Sequence, residues 1–472
     1  MIKALFTEMT RSVLSLVGVV LTTVSAILFV TLFATEEMGS VGSPYSGIIA
    51  FVIIPTVFVA GLVLMPIGLW QVRREDRRRA AAGQEKVRAP VIDLNVPHTR
   101  AIIAVVAMLT LVNIIIIASG TYKAVELMES TEFCGGTCHT VMSPEFSTHS
   151  RSAHARVRCT QCHIGPGANW FVKSKLSGSW QLVAVALDIY PRPIPTPVEN
   201  LRPARETCEQ CHWPTRFVGE RLKIITRFEE DEANTEKKTV LMMKIGGAEA
   251  GKSRGIHWHV DPKNRVRYKA DKRRQYVKEV ESTLADGTTR LYTNQVPPAA
   301  NTSISSEWRT MDCVDCHNRP THVYQRAKDE LDRGLSSGEL DKSLPFIRRE
   351  GLRVLNLPWK SYEEAEQGMK KELADFYGKE APDAISEPKK LEQTVEALMA
   401  MYKRNVFPAM NVGWNTYPSF RDHEDDSGCY RCHTSDMKTA DGKKVSQKCD
   451  LCHTTLAEKE ENPEILTELS GE

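Results

Sequence analysis

The sequence predicts a membrane-anchored protein in two parts. Three N-terminal transmembrane helices come first, followed by a mostly α-helical and irregular domain that carries a small antiparallel β insert. Two observations predict this architecture. Three long apolar stretches are confined to the first 120 residues, and a repeated cysteine motif begins only after them and continues almost to the C-terminus.

The three apolar stretches cover residues 13–33, 47–70 and 101–119, and none contains a charged residue. Each is long enough to cross the hydrocarbon core of a membrane as a helix, which takes about 20 residues. A buried globular helix is the alternative, and three uncharged runs in succession disfavour it. The first run is longer than the apolar part of a signal peptide, so we interpret it as a retained anchor.

The distribution of charge between these stretches predicts their orientation. The segment between the second and third spans is rich in Arg and Lys, whereas the loop between the first and second holds Glu36 and Glu37 and no basic residue. Basic loops stay in the cytoplasm. We therefore predict a cytoplasmic N-terminus in the bacterial inner membrane, with everything after the third span in the periplasm or on the outer face.

All twelve cysteines fall into six pairs, and a histidine follows each pair. Cys-x-x-Cys-His attaches c-type haem: the thiols bond to the haem and the imidazole ligates the iron. The sequence therefore predicts a membrane-anchored multihaem cytochrome c with six covalent haems, although the first motif has one extra residue. The pairs are Cys134/Cys138, Cys159/Cys162, Cys208/Cys211, Cys313/Cys316, Cys429/Cys432 and Cys449/Cys452. The predicted proximal iron ligands are His139, His163, His212, His317, His433 and His453.

Zinc binding and disulfide formation are the alternatives to haem attachment for these cysteines. The last two pairs have the spacing of a zinc ribbon, but that reading leaves the histidine after each pair unexplained and does not extend to the other four pairs. Disulfides suit an oxidising compartment, yet a two-residue gap usually marks redox or metal chemistry rather than a structural bridge.

Electron-transfer haems need a second axial ligand from His or Met. His98 falls on the cytoplasmic side of the predicted topology and is excluded. His257 and His259 flank Trp258, so on a strand they would point to one face and need not serve two irons. His322 lies too close to His317 to serve the same haem and is expected to serve a neighbour. The distal candidates are Met142, His149, His154, His257, His259, His322 and His423.

The first motif begins shortly after the third span, so its haem should lie close to the membrane. Residues 169–190 combine Trp, Phe and Tyr with an apolar run and lysines, as in a helix at the lipid headgroups; an ordinary buried helix is the alternative. An interfacial helix beside a haem suits a quinol site, where a base must accept protons. The candidates are Lys173, Lys175 and Asp188, with Lys123, Glu126 and Glu129 as further possibilities.

The remaining chain divides by motif spacing and periodicity. Alternating residues 221–245 and 264–295, with an Asp286-Gly287 hairpin signal, predict the β insert. Segments 323–335, 361–378 and 388–404 predict amphipathic helices. We expect little conventional core, an apo chain unfolded beyond about residue 130, and a mobile acidic tail after His453. The predicted regions are 1–120 (anchor), 121–215 (first three haems and quinol side), 216–310 (β-rich insert), 311–427 (fourth haem and helical insert) and 428–472 (last two haems and tail).

Several segments together resemble the NapC/NirT family of membrane-anchored multihaem quinol dehydrogenases, especially its larger inner-membrane forms in metal-respiring bacteria. They are Cys134 to Met142, Ser152 to Cys159, Cys162 to Gly167, Pro191 to Pro197, Gly255 to His259 and Cys316 to His322. Similarity covers most of residues 120–455. Smaller members have one anchor helix and four haems, whereas this chain has three spans and six motifs.

The resemblance implies oxidation of menaquinol or ubiquinol and delivery of electrons to a periplasmic cytochrome or reductase. It also implies a methionine ligand at the first haem and a lysine and an aspartate near the quinol, here Met142, Lys173 or Lys175, and Asp188. In the smaller members the methionine follows the motif histidine by two residues. Here the gap is three, so His139 and Met142 compete for the first iron.

The formal net charge of +2 conceals a near-neutral domain after the anchor, to which haem propionates would add negative charge. That balance argues against nucleic acid as a partner and suits docking to a basic patch on another electron carrier. The expected partners are therefore the lipid bilayer, membrane quinol and a periplasmic acceptor. Two alternatives stay open: a passive electron-carrier subunit of a larger respiratory complex, and a terminal reductase with one open haem.

Overall fold

The structure, a computed structural model, describes residues 12–37, 54–83, 93–137, 139–165, 168–198, 202–246, 255–385, 388–423 and 428–470. The chain divides into two compact units, residues 1–137 and 138–472. The boundary falls inside the first cysteine motif.

The first unit consists of helices. They are α1 (Val13–Glu37), α2 (Ile54–Ala81), α3 (Pro97–Met128) and the short α4 (Thr131–Gly136). The first three are long and apolar enough to cross a membrane. Helix α3 extends beyond the predicted span at both ends, and near its C-terminus Lys123 pairs with Glu126 at 3.0 Å. Residues 47–53 of the predicted second span lie outside the described residues.

Small residues bring α1 and α2 into close contact. A Cβ atom added at Gly61 would lie 2.8 Å from the carbonyl oxygen of Gly18, so neither position has room for a side chain. The Ser15 hydroxyl donates to the Met65 carbonyl at 3.0 Å across the same interface. Because lipid tails are as apolar as Leu, helices in a membrane associate through such close packing and hydrogen bonds rather than through hydrophobic burial.

The second unit begins with four helices: one that begins at the histidine of the first motif, two that carry residues of the second and third motifs, and one that lies between these two in the chain. They are α5 (His139–Ser150), α6 (Cys159–His163), α7 (Ala168–Ala186) and α8 (Ala204–Cys208). On α7, Leu176, Trp180 and Val183 recur at helical spacing, and the stripe continues to Leu187 just past its end. Leu176 is 69% exposed, Trp180 63% and Leu187 64%. An apolar stripe left open on one helix face is typical of a membrane-surface helix.

Among the described residues, eight strands form two antiparallel sheets. They are β1 (Glu220–Phe228), β2 (Glu236–Lys244), β3 (Arg265–Ala270), β4 (Val277–Thr283), β5 (Thr289–Asn294), β6 (Arg309–Thr310), β7 (Met437–Lys438) and β8 (His453–Glu460). One sheet has the order β1-β2-β8 and the other β6-β3-β4-β5-β7. The Asp286-Gly287 pair forms the turn between β4 and β5, where Gly287 has a φ of +81°.

The expectation of a mobile acidic tail after His453 is wrong for residues 454–460, which belong to β8. This strand pairs with β2, and Ala457 lies opposite Val240. Both side chains are buried, at 5% and 0% exposure, because β8 covers an edge that β2 would otherwise leave open. The short β7 similarly pairs with β5, so strands of the C-terminal segment complete both sheets.

Five helices follow the fourth motif: α9 (Ala327–Ser337), α10 (Ile347–Leu355), α11 (Tyr362–Glu380), α12 (Pro388–Asn405) and, after β8, α13 (Glu464–Ser470). Leu331, Met369, Leu373 and Leu398 on α9, α11 and α12 are completely buried in one cluster. The expectation that the domain has little conventional core is therefore wrong for α9 to α12. Their amphipathic faces bury aliphatic side chains against each other, as in an ordinary helical domain.

Candidate haem centres

The described motifs form tight turns, which we number one to six in chain order. In motifs three, four and five, the backbone N–H of the histidine donates to the carbonyl of the first cysteine, so both thiols and the imidazole lie on one turn. These distances are 2.8 Å for His212 to Cys208, 2.8 Å for His317 to Cys313 and 3.0 Å for His433 to Cys429. Cys138 and the side chain of His139 in motif one lie outside the described residues.

Five motif histidines each lie opposite a different histidine from elsewhere in the chain. The ring-centroid distances are 6.3 Å for His163 and His322, 6.0 Å for His212 and His154, 6.5 Å for His317 and His257, 5.8 Å for His433 and His259, and 6.3 Å for His453 and His423. Among the described residues, no distal histidine is shared between two motif histidines.

This spacing is the one that two axial imidazoles of one iron require. A metal–imidazole nitrogen bond is about 2.0 Å long, and the ring centre lies about 1.2 Å behind the nitrogen, which gives roughly 6.4 Å between ring centres across the metal. Rings in direct contact would be closer. The five pairs therefore have the separation of bis-histidine haem sites.

Hydrogen bonds orient several of these rings. The Nδ1 atom lies 2.9 Å from the Ile245 carbonyl in His257, 2.8 Å from the Ile256 carbonyl in His259 and 2.8 Å from the Ser446 carbonyl in His433. A carbonyl can only accept, so Nδ1 carries the hydrogen and the lone pair is on Nε2. Metal-ligating histidines are held in this way by their second nitrogen.

The strand assumed for His257 and His259 is wrong. The segment Ile256–Val260 is a 3₁₀-helix, and its two histidines diverge toward different motifs. A strand would have put both on one face, whereas residues two apart on a helix point in different directions. His322 lies beside His163 of motif two and not beside the adjacent His317, as a ligand serving a neighbouring haem must.

His149 differs from the five paired distal histidines. Its ring is buried and 6.3 Å from that of His322, but its Nε2 lies 2.9 Å from the Val157 carbonyl. The lone pair is therefore on Nδ1, which is buried without a hydrogen-bond partner among the described residues. Met142 is partly buried on the same helix, α5. The ligands of the first iron thus stay open between His139, Met142 and His149.

Glu145 is a functional candidate that the sequence analysis missed. Its carboxylate Oε2 lies 3.0 Å from Nδ1 of His322, and its backbone oxygen lies 3.1 Å from the same atom. Burial raises the pKa of Glu145, but His322 and the Arg319 guanidinium outweigh burial and hold the pKa below its ordinary value. Nothing in the sequence signals this contact, because the two residues are far apart in the chain and Glu145 belongs to no motif.

Consecutive motifs from two to six are neighbours in space. The thiols of Cys208 and Cys313 interact directly, which joins motifs three and four. Burial raises the pKa of Cys316 to about 12, and nearby Cys429 of motif five adds to the increase. Burial also raises the pKa of Cys162 and of Cys452, and a nearby thiol of the adjacent motif adds to each increase: Cys211 of motif three for Cys162, and Cys429 of motif five for Cys452. The five sites therefore follow one another in chain order.

Comparison with known proteins agrees with this arrangement. A model of the N-terminal region of the NapC/NirT cytochrome c family matches residues 96–191. The chain is 38% identical over 453 residues to the cytochrome c-type protein ImcH of Geobacter sulfurreducens, across 95% of this chain and 89% of that protein. The chain belongs to the NapC/NirT family of c-type cytochromes. No solved structure matches it.

Membership of the NapC/NirT family implies an electron-transfer protein with covalently bound haem and an inner-membrane anchor, for which the three apolar helices are suited. The residues fit haem: five histidine pairs have the required spacing, each beside a cysteine pair. When bound, haem supplies one-electron redox chemistry. Among the residues described, no three His, Cys, Asp or Glu side chains converge on a point that could hold a bare metal ion, as a zinc ribbon would need.

The candidate quinol residues are distributed along and after α7. Lys173 is exposed in the N-terminal half of this helix, whereas the side chain of Lys175 lies outside the described residues. Asp188 follows the helix with a φ of +55° and is ion-paired with Arg192, whose Nη1 lies 3.4 Å from Oδ2. The hydrogen bond from Arg192 lowers the pKa of Asp188. Arg192 also lies over the ring of Tyr190 at 4.2 Å and donates to its hydroxyl at 2.6 Å.

Proposed function

We propose that this protein oxidises menaquinol or ubiquinol at the membrane and passes the electrons through six covalent haems to a periplasmic cytochrome or reductase. The observation that carries the proposal is the one-to-one pairing of five motif histidines with five distal histidines, at motifs that are neighbours in space. Such a series of low-spin sites conducts electrons and leaves little room for substrate at its irons. The periplasmic orientation rests on the positive-inside distribution of charge.

Oxidation of a quinol releases two electrons and two protons. The haems would accept the electrons one at a time, so side chains must accept the protons. Asp188 is an ionised carboxylate at the end of α7, and Lys173 and Lys175 lie on the same helix. The exposed apolar stripe of α7 supports contact with the lipid surface, where quinol dissolves. We propose Asp188 as the proton acceptor and the lysines as groups that orient the quinol oxygens.

The direct test is reduction of the haems by quinol. The purified full-length protein in lipid nanodiscs, mixed anaerobically with menadiol or decylubiquinol, should show the absorbance changes of ferrous haem within the mixing experiment. Dithionite serves as the control that reduces every haem without a quinol site. Reduction by dithionite but by neither quinol would remove the proposed activity and favour the passive carrier subunit.

A variant tests the proton acceptor. Asp188→Asn keeps the side-chain volume but removes the carboxylate, and we expect quinol-driven reduction to slow by about 100-fold, the contribution typical of a general base. The matched control is Asp441→Asn, which also breaks an exposed ion pair, with Lys443 at 2.9 Å. An unchanged rate in Asp188→Asn would exclude Asp188 while leaving quinol oxidation itself intact.

The terminal-reductase alternative needs an iron without a sixth protein ligand. Each described motif histidine faces a second histidine, so among these five sites none has an obvious open position. Only the first haem could fill that role. A high-spin haem signal in the resting protein would revive this alternative.

A further inference from the structure

The guanidinium of Arg202 is buried with donors that the protein leaves unused. Its side chain is only 8% exposed. One nitrogen, Nη2, lies 3.3 Å from the Glu206 carboxylate. The other two, Nε and Nη1, are buried and have no hydrogen-bond partner among the described residues. A buried cation with unpaired N–H groups is costly unless another acceptor satisfies them.

The position of this guanidinium indicates the acceptor. The Arg202 side chain packs against Gly165, two residues after His163 of motif two: a Cβ atom added at Gly165 would lie 2.1 Å from Nη1 and 2.7 Å from Cδ. Arg202 also lies two residues before the start of helix α8, which carries Cys208 of motif three. Helices α6 and α8 contact each other, so the guanidinium lies between two haem-attachment turns.

Other arginines have an unpartnered buried nitrogen, but in the described part of the chain only Arg202 has two. The glycine beside it provides the space, and Gly165 has a φ of +66°, a conformation that also disfavours a side chain there. The sequence therefore leaves room for a buried cation where two haems would approach.

We propose that Arg202 binds a propionate of the haem attached at motif two or motif three. The proposal rests on the haem assignment made above. Haem carries two carboxylates, and guanidinium is the side chain best suited to bind a carboxylate out of water through several N–H groups. A bound propionate would satisfy the unused donors, and Arg202 would offset its negative charge near the iron.

The test is a potentiometric titration of the full-length holoprotein with redox mediators, followed by haem absorbance. In Arg202→Gln the propionate loses its counter-charge, and the added negative charge favours ferric iron. One of the haem potentials should fall enough to raise the ferric-to-ferrous ratio at fixed potential by about tenfold, which is about 59 mV. Arg202→Lys should retain part of the effect because the positive charge remains.

Two further variants separate this role from a structural one. Gly165→Ala leaves every charge in place but removes the space that Arg202 occupies, so it should lower the same potential; Gly178→Ala, where a Cβ meets nothing within 4 Å, is its control. Glu206→Gln removes only the ion pair and should not lower any potential. Unchanged potentials in folded Arg202→Gln, or an equal fall in Glu206→Gln, would overturn the proposal.

The titration does not use quinol, so its outcome is independent of the proposed activity. A protein that fails to oxidise quinol but shows the Arg202 shift retains the propionate site. A protein that oxidises quinol but shows no shift loses it. Intact-mass measurement establishes beforehand that each variant carries the same number of haems as the parent.

Discussion

At the scale of single residues, the histidine opposite each motif histidine would set the ligation, and therefore the potential, of the haem at that motif. The 3₁₀-helix Ile256–Val260 is the clearest case. Its two histidines are only two residues apart, yet His257 faces His317 and His259 faces His433. One segment of five residues thereby joins two neighbouring sites. A displacement of this helix would therefore change the distance between the paired histidines at both sites.

This arrangement predicts separate effects for the two histidines. Methionine as a distal ligand raises the potential of a haem relative to bis-histidine ligation. We expect His257→Met and His259→Met each to raise one potential, and the double variant to raise two, as measured by mediated redox titration. His149→Met is the control and should leave these two haems unchanged. A double variant that shifts a single haem would show that both histidines serve one iron.

The contact between Glu145 and His322 predicts a tuning effect. A carboxylate beside Nδ1 makes the imidazole a stronger donor and favours the ferric state. In Glu145→Gln we expect the potential of the second haem to rise by about 59 mV. At a fixed applied potential, this lowers the ferric-to-ferrous ratio about tenfold. Glu145→Asp should retain most of the parent value, and exposed Glu396→Gln is the control. An unchanged potential in Glu145→Gln would mean that the carboxylate does not tune the haem and serves only its ion pair with Arg319.

At the scale of elements, the sequence could predict what repeats locally and little of what depends on distant contacts. Cysteine motifs, apolar spans and the helices α9, α11 and α12 have local patterns, and the structure has helices close to where those patterns predict them. The pairing of β8 with β2 is not local, because it joins segments more than 200 residues apart. The acidic tail also lacks the alternation of apolar and polar residues that would predict a strand. The same limit applies to Glu145 and Arg202, which act through neighbours distant in sequence.

The helical insert also predicts what happens without haem. Its buried cluster of aliphatic side chains is independent of the motifs, so α9 to α12 should fold in a chain made without haem attachment. We expect limited proteolysis of that apo chain to leave a resistant fragment near residues 327–405 and to cleave around motifs three and six. This replaces the expectation of an unfolded chain beyond residue 130.

A core variant gives this prediction its control. Leu398 is completely buried, and Leu398→Ala should lower the free energy of unfolding of the insert by about 2–5 kcal/mol and weaken its resistance to protease. Leu469→Ala changes an exposed side chain and should not. Complete digestion of the apo insert with the parent sequence would mean that haem packing stabilises these helices after all.

At the scale of the whole molecule, the chain combines an anchor of three apolar helices with a domain whose haem we expect to be attached outside the cytoplasm. The charge at the C-terminal end of α2 would make the two compatible: we expect Arg73, Arg74 and the run Arg77 to Arg79 to keep the connection from α2 to α3 inside. An odd number of spans then carries every motif to the other face. If the connection were outside, the motifs would lie in a compartment that keeps thiols reduced and lacks the attachment chemistry.

Reporter fusions test this topology. We expect a fusion placed after Gly83 to be fluorescent with a reporter that folds only in the cytoplasm, and inactive with a phosphatase that needs export. A fusion after Ser470 should give the opposite result with both reporters. One reporter is active only in the cytoplasm and the other only after export, so each position should give one positive signal. A poorly expressed fusion would give neither signal. Phosphatase activity at Gly83 together with fluorescence at Ser470 would invert the anchor, and haem attachment at all six motifs would then be impossible.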